Sequence, residues 1–212
     1  MKITKLEAPA DTAFPITFGT HRFFLFGYGG LADLLIPARR FSRRQADQQE
    51  VHTWQALSSL FVSSAIGQPM QPRTSAQAFA GRGLEGHRYA SGQGSYSNLP
   101  RPGARHVSLI AREAVEASNE ELVRRGLTPF EPRETRRNIT VGGVDVYALL
   151  GHEFRIGEVR LRGSEPTRPC RIPSVVVGKT GLAEAYHGRG GIRAEVLSDG
   201  VISVGDLIQA AL

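Results

Sequence analysis

A chain of 212 residues with 41% hydrophobic and 22% charged content can bury a core without disulfides or a structural metal. That composition indicates neither disorder nor membrane residence for the chain as a whole, and the length favours one domain, or one domain with an extension. The formal charge of +6 favours anionic partners such as phosphates, nucleic acid or a membrane surface, while the single cysteine, Cys170, excludes an internal disulfide or paired-cysteine zinc site and points to a reducing, cytoplasmic setting.

The first fifty residues read differently from the rest. The apolar run FFLFGYGGLADLLI, Phe23 to Ile36, is broken by Asp33 and three glycines and is too short for a helical membrane span. Pro37, Arg39 and Arg40 follow it, where an export signal would place a small-residue cleavage site. Arg39, Arg40, Arg43 and Arg44 would share one side of a helix, serving either as a polyanion or membrane-surface contact or as a solvated face. Residues 1–52 are therefore read as an extension of unknown role, and 53–212 as the domain.

From Trp54 onward the pattern becomes mainly β. Leu57, Leu60, Phe61 and Val62 suggest a first strand, bounded by Gly67 and Pro69. The segment GRGLEGHRYASGQGSYS sets Arg82, Arg88, Ser95 and Ser97 among glycines, too polar and flexible for a core element. It reads either as a loop whose amides and hydroxyls approach an anion or as a simple surface loop. His106 to Ile110 alternates as a half-buried strand. In AREAVEASNEELVRRG, Ser118 and Glu121 have capping-box spacing, so a helix restarting at Asn119 and ending before Gly126 is expected, giving two short helices or one kinked helix.

The alternation of Phe154 and Ile156 changes phase before Val159 and Leu161, the mark of a bulge or tight turn at Gly157-Glu158. Toward the end, Ile192, Ala194 and Val196 alternate, Asp199-Gly200 signals a hairpin turn, and Ile202 and Val204 resume. Strands separated by glycine turns, with only short helices between, point to a curved sheet or barrel.

Cys170 sits in TRPCR between Arg168 and Arg171. Cationic neighbours favour a thiolate that can act as nucleophile or metal ligand, whereas a free cysteine is also a common buried hydrophobe. Asn138, after Arg136 and Arg137, could orient a polar ligand or cap a turn. HGRGGIR, from His187 to Arg193, is a second basic glycine cluster. There is no H-E-x-x-H, cysteine–histidine array, P-loop or G-x-S-x-G elbow, which argues against zinc hydrolysis, nucleotide-loop chemistry and a serine-nucleophile elbow.

In this order, GLEGHRY (Gly83 to Tyr89), HVSLI (His106 to Ile110), RRNIT (Arg136 to Thr140), FRIGEV (Phe154 to Val159), RPC (Arg168 to Cys170) and RGGIRAEVL with VGD (Arg189 to Asp206) resemble MOSC proteins, named after the C-terminal domain of molybdenum cofactor sulfurase. The chain looks like a stand-alone, bacterial-type member. The resemblance implies a mainly β, barrel-like fold with a few short flanking helices and a molybdenum–pterin cofactor. It further implies Cys170 as the reactive residue and metal ligand, with Arg88, Arg137, Asn138, Arg168, Arg189, Gly190 and Gly191 on the anionic cofactor.

Two departures stand out: His87 occupies the place of the aspartate in the family's GLEGDR, and Thr167 that of a frequent second cysteine. Two functions are implied, from different classes. One is the molybdenum-containing part of an oxidoreductase acting on N-hydroxylated compounds, with electrons from a partner protein. The other is a sulfur carrier holding a persulfide on Cys170, supplied by a pyridoxal-phosphate-dependent cysteine desulfurase. No specific nucleic acid is expected as a partner, and no membrane span.

Overall fold

The computed structural model describes residues 14–18, 21–25, 56–95, 97 and 105–210. The arginine cluster at 39–44 and most of the Phe23 to Ile36 run lie outside these residues. The chain divides into two compact units, residues 1–42 and 43–212. In the first, β1 (Phe14–Phe18) and β2 (His21–Leu25) pair antiparallel, with Phe14 opposite Leu25.

The second unit carries the remaining elements. β3 (Ala56–Val62) is followed by β4 (Gln71–Arg73), β5 (Ser75–Phe79), β6 (Gly83–Leu84) and β7 (Val107–Ala111). Helix α1 (Arg112–Arg124) leads to a 3-10 turn (Pro132–Thr135) and β8 (Ile139–Gly142). After a second 3-10 turn (Val146–Leu149) come β9 (Glu153–Ile156) and β10 (Val159–Pro166). Two short helices, α2 (Ile172–Val177) and α3 (Leu182–Ala185), precede β11 (Ile192–Val196), β12 (Gly200–Ser203) and β13 (Ile208–Ala210).

Eight strands form one sheet in the order β13-β9-β10-β11-β7-β8-β3-β4, and β12-β5-β6 form a second. Among the described strands of both sheets, only the β7–β8 pair is parallel. A bridge between Ala56 on β3 and Leu207 beside β13 joins regions near opposite ends of the large sheet, so the sheet curls into a half-barrel, as expected of a mainly β, barrel-like fold with few helices.

Register explains where the core lies. Leu57 and Leu60, three apart, reach the same core because a bulge between Leu57 and Ser59 resets the alternation. The phase change after Ile156 is a tight turn: Ile156 faces Val159, with Gly157 at φ +55, a backbone region open to glycine. Ile192, Ala194 and Val196 point into the barrel core, beside Leu109, Phe154 and Leu161. A second cluster of Ile110, Val115, Leu122, Phe130 and Tyr186 holds α1 and α3 against the sheet.

Four expectations are corrected. Val107 to Ile110 is buried throughout, not half-buried, because Val107 and Leu109 face the barrel while Ile110 faces the helical cluster. The 112–124 segment is one helix with no break at Ser118, whose hydroxyl donates to the Ala114 carbonyl at 2.7 Å instead of capping a restart. The Gly81 to Ser97 segment contributes core after all, since Leu84 is fully buried on β6 and His87 and Tyr89 are buried as well. Asp199-Gly200 does not close a hairpin between β11 and β12: β12 pairs with β5 in the other sheet, and Asp199 Oδ1 accepts the Ala80 amide at 2.7 Å.

Candidate functional site

The parallel pair β7–β8 opens a place where the chain entering β8 meets Ser108. Asn138 is locked there: its Oδ1 accepts both the Ser108 amide (3.1 Å) and hydroxyl (3.0 Å), and its Nδ2 donates to the Phe61 carbonyl at 3.1 Å. With Asn138 only 3% exposed, the side chain ties β3, β7 and β8 together. The residues just before it turn sharply. Arg136, at φ 62, is the one non-glycine residue with positive φ among the described residues, an uncommon conformation that such a site must hold in place.

Around this knot lies a cavity of about 150 Å³. Arg88, Arg136, Arg137 and Asn138 line it, and Cys170, exposed at the turn between β10 and α2, stands on its rim. Arg105 and Arg193 also reach it, but both are paired with Glu165, at 2.6 and 3.3 Å. Arg88, Arg136 and Arg137 have no carboxylate partner among the described residues.

Arg137 is buried, donating from Nε to the Gly190 carbonyl at 2.7 Å and from Nη1 to the Thr135 carbonyl at 3.1 Å. Burial, aided by the charge of Arg193, pulls its pKa down to about 10. Burial likewise lowers Arg88, with Arg193 adding to the effect, and lowers Arg136, with Arg88 adding to it. Cys170 acts in the opposite sense on Arg136 and Arg137, favouring their charged forms. Crowded guanidinium groups that oppose one another's charge form a site an anion would relieve.

Arg88 makes this concrete. Its guanidinium stands 5.3 Å from the centre of the Tyr89 ring, and its Nε and Nη1 are buried without a hydrogen-bond partner. The Thr167 hydroxyl, on a residue 6% exposed in the same cavity wall, is also unpartnered. His87 beside Arg88 accepts the Ser63 amide through Nδ1 at 3.1 Å. Burial, then Arg88 and Arg136, holds its pKa down to about 3, so it supplies a neutral acceptor and no negative charge.

The other sequence-derived candidates lie elsewhere. Arg168 borders a neighbouring cleft with Arg105, Glu165 and Arg193. Arg189 points to α1 and α3, with Nη1 3.6 Å from Glu121 Oε2 and 3.3 Å from the Ala185 carbonyl. Gly190 and Gly191 do not line the cavity but allow close packing behind it. A Cβ on Gly190 would lie 2.0 Å from the Thr167 carbonyl oxygen, and one on Gly191 2.0 Å from that of Leu109.

Arg136, Thr167, Arg105 and Arg193 were not singled out as ligands by sequence reasoning. Arg136 and Arg193 fall inside the matched motifs, so pairing of the motifs in space was the missing signal. Nothing local marks Arg105. Among the described residues no three His, Cys, Asp or Glu side chains gather as a metal site, so a metal held at Cys170 would have to bring further ligands with it. No helix among them is long and apolar enough to cross a membrane.

A curled, mainly antiparallel half-barrel bearing a thiol beside a cluster of arginines defines the class of this protein: a small β module with a basic thiol site. The sequence profile of the MOSC domain matches residues 76–209, more than half of the chain, and the protein belongs to the MOSC domain family. Solved structures share the fold. The YuaD protein of Bacillus subtilis superposes with a TM-score of 0.58 at 20% identity, covering 73% of this chain and 94% of that one. YiiM of Geobacillus stearothermophilus gives 0.55 at 17% identity over 74% and 75% of the two chains. YiiM of Escherichia coli gives 0.53 at 17% over 74% and 70%. Among curated proteins nothing matches the sequence.

Proposed function

We propose that the protein holds a molybdenum–pterin cofactor, with the Cys170 thiolate as its ligand to the metal, and serves as the molybdenum-containing component of a reductase of N-hydroxylated compounds. The carrying observation is the buried pair of unpartnered N–H groups on Arg88, in a cavity with two further unneutralised guanidinium groups and a thiol on its rim. The donor set fits the group: guanidinium N–H groups suit an anionic phosphate or pterin oxygen, and a soft thiolate suits molybdenum. About 150 Å³ is below the roughly 300–1,000 Å³ of sites that enclose drug-sized ligands, so these residues would enclose the anionic part and leave the rest at the mouth.

In this reading Arg88 binds the anionic group directly, Arg136 adds charge, and Arg137 positions the Gly190 and Thr135 backbone while adding to the positive field. When bound, the cofactor would supply two-electron redox chemistry. The sequence holds no flavin, haem or iron–sulfur motif, so a partner protein would deliver electrons. A single cysteine unable to form an internal disulfide supports a reducing cytoplasmic setting. Residues 53–212 are proposed as the unit sufficient for binding.

The test is metal and pterin content of protein purified from its own host. Wild type should carry both, and Cys170→Ser should lose molybdenum while keeping its fold, because a protonated oxygen replaces a soft anion. Equal molybdenum in that variant would refute the assignment. The exposure of Cys170 favours a second reading, a carrier whose thiol is open to a cysteine desulfurase. An added sulfur on Cys170 and no molybdenum in the same sample would select it.

A further inference from the structure

We propose that the cofactor-free protein accepts sulfur from thiosulfate, with Arg88 and Thr167 gripping the sulfonate end and Cys170 attacking the outer sulfur. The reading concerns the empty thiol and stands apart from molybdenum binding.

Three observations carry it. First, two residues of the cavity wall carry unpaired donors: Arg88 Nε and Nη1 and the Thr167 hydroxyl are buried without partners, each costly until an acceptor reaches it. Second, no carboxylate lines the cavity among the described residues, and His87, where the resembled motif has an aspartate, presents a neutral ring. Apart from the attacking thiolate itself, a dianion therefore meets the positive charge of Arg88, Arg136 and Arg137. Third, about 150 Å³ is well above the space one water needs and leaves room for a small tetrahedral oxyanion.

Sulfate or phosphate would satisfy the same donors but offers a thiolate nothing to attack. Thiosulfate places a transferable sulfur beside the sulfonate. The Cys170 thiolate forms a bond to that outer sulfur, the sulfur–sulfur bond of thiosulfate breaks, and its electron pair leaves on sulfite. The products are a Cys170 persulfide anion and sulfite, with charge conserved and no other oxidant or reductant required. Negative charge gathers as thiolate and dianion meet, where preorganised guanidinium groups lower the barrier.

The experiment uses the full chain, reduced and free of metal. On incubation with thiosulfate, intact mass should show one added sulfur on Cys170 and an equal amount of sulfite, and cyanide should release the sulfur as thiocyanate. Arg88→Met and Thr167→Val should each slow transfer about tenfold or more, while alkylation of Cys170 by neutral iodoacetamide keeps its wild-type rate. Sulfate should compete. Sulfate protection without sulfur transfer, uptake no greater than in Cys170→Ser, or unchanged rates in both cavity variants would overturn the proposal. Molybdenum content of host-purified protein is measured separately, so either reading can fail alone.

Discussion

Gly190→Ala would place a Cβ 2.0 Å from the Thr167 carbonyl oxygen and 2.9 Å from Pro169 Cδ. Gly190 is not among the glycines with positive φ, so the new contact, rather than backbone conformation, is the perturbation. Ordinary contact begins near 3.4 Å, and the segment leading to Cys170 must retreat by 3.4 − 2.0, about 1.4 Å. That movement pulls on two hydrogen bonds, Thr167 amide to Gly191 carbonyl at 2.8 Å and Arg137 Nε to Gly190 carbonyl at 2.7 Å. Overpacking of this kind costs about 1–3 kcal/mol and a lost hydrogen bond about 1 more. At about 2–4 °C per kcal/mol for a domain of this size, the melting temperature should fall by about 5–15 °C. Gly188→Ala is the comparison, since its Cβ meets open space and only its φ of +71 is unfavourable, costing about 1–2 kcal/mol. Thermal melts of the full chain, with the alkylation rate of Cys170, measure both effects. A Gly190→Ala protein melting within about a degree of wild type, with Cys170 alkylating at the normal rate, would refute the reading that a bare Cα at 190 is needed for the close packing against Thr167 and Pro169.

Arg88→Met should hold or raise the melting temperature in anion-free buffer, because it removes a half-buried cation whose buried Nε and Nη1 have no partner. It should also abolish the stabilisation that added sulfate gives wild type, read as a concentration-dependent melting shift. For His87, whose pKa falls from 6.5 in the unfolded chain to about 3 when folded, stability is full above 6.5. Below that the unfolded chain alone takes up the proton, so stability declines toward pH 3 by at most about 1.4 kcal/mol per unit. His87→Gln retains an acceptor for the Ser63 amide and should flatten that decline in urea midpoints measured across the window; parallel profiles would contradict it. Deletion of residues 1–52 should leave a cooperatively melting domain that still binds sulfate, and an insoluble or molten product would place part of the core in the extension.

The fold was legible where neighbours in sequence are also neighbours in space. The reset of alternation around Gly157-Glu158 could be read because both strands of that hairpin lie in one short stretch. Asp199-Gly200 misled for the complementary reason: a good local turn signal was overridden by pairing of β12 with β5, more than a hundred residues away in sequence. At Ser118 a capping pattern lost to helix continuity, since the hydroxyl found the Ala114 carbonyl inside the same helix. Of the site, Arg88, Arg137, Asn138 and Cys170 share one cavity, whereas Arg168 and Arg189 face other surroundings. Short basic motifs do not say which way each guanidinium points. Thr167 drew notice only as a missing cysteine, and its unpartnered hydroxyl became visible only with the barrel around it.

The closure of the sheet also constrains when the chain can fold. Leu57 donates its amide to the Asp206 carbonyl, and the Gly205 amide donates to the Leu57 carbonyl, both near 2.9 and 2.8 Å. The first strand of the barrel is therefore sealed by residues about 150 positions later in the chain. On a ribosome β3 waits exposed until both β8 and the 205–207 segment have emerged, a long-range closure that slows folding and leaves its edge open to wrong partners meanwhile. The same proximity makes the domain a candidate for circular permutation: joining the segment beside Ala56 to that beyond β13 and opening the chain at an exposed turn should preserve every strand pairing of the two larger sheets.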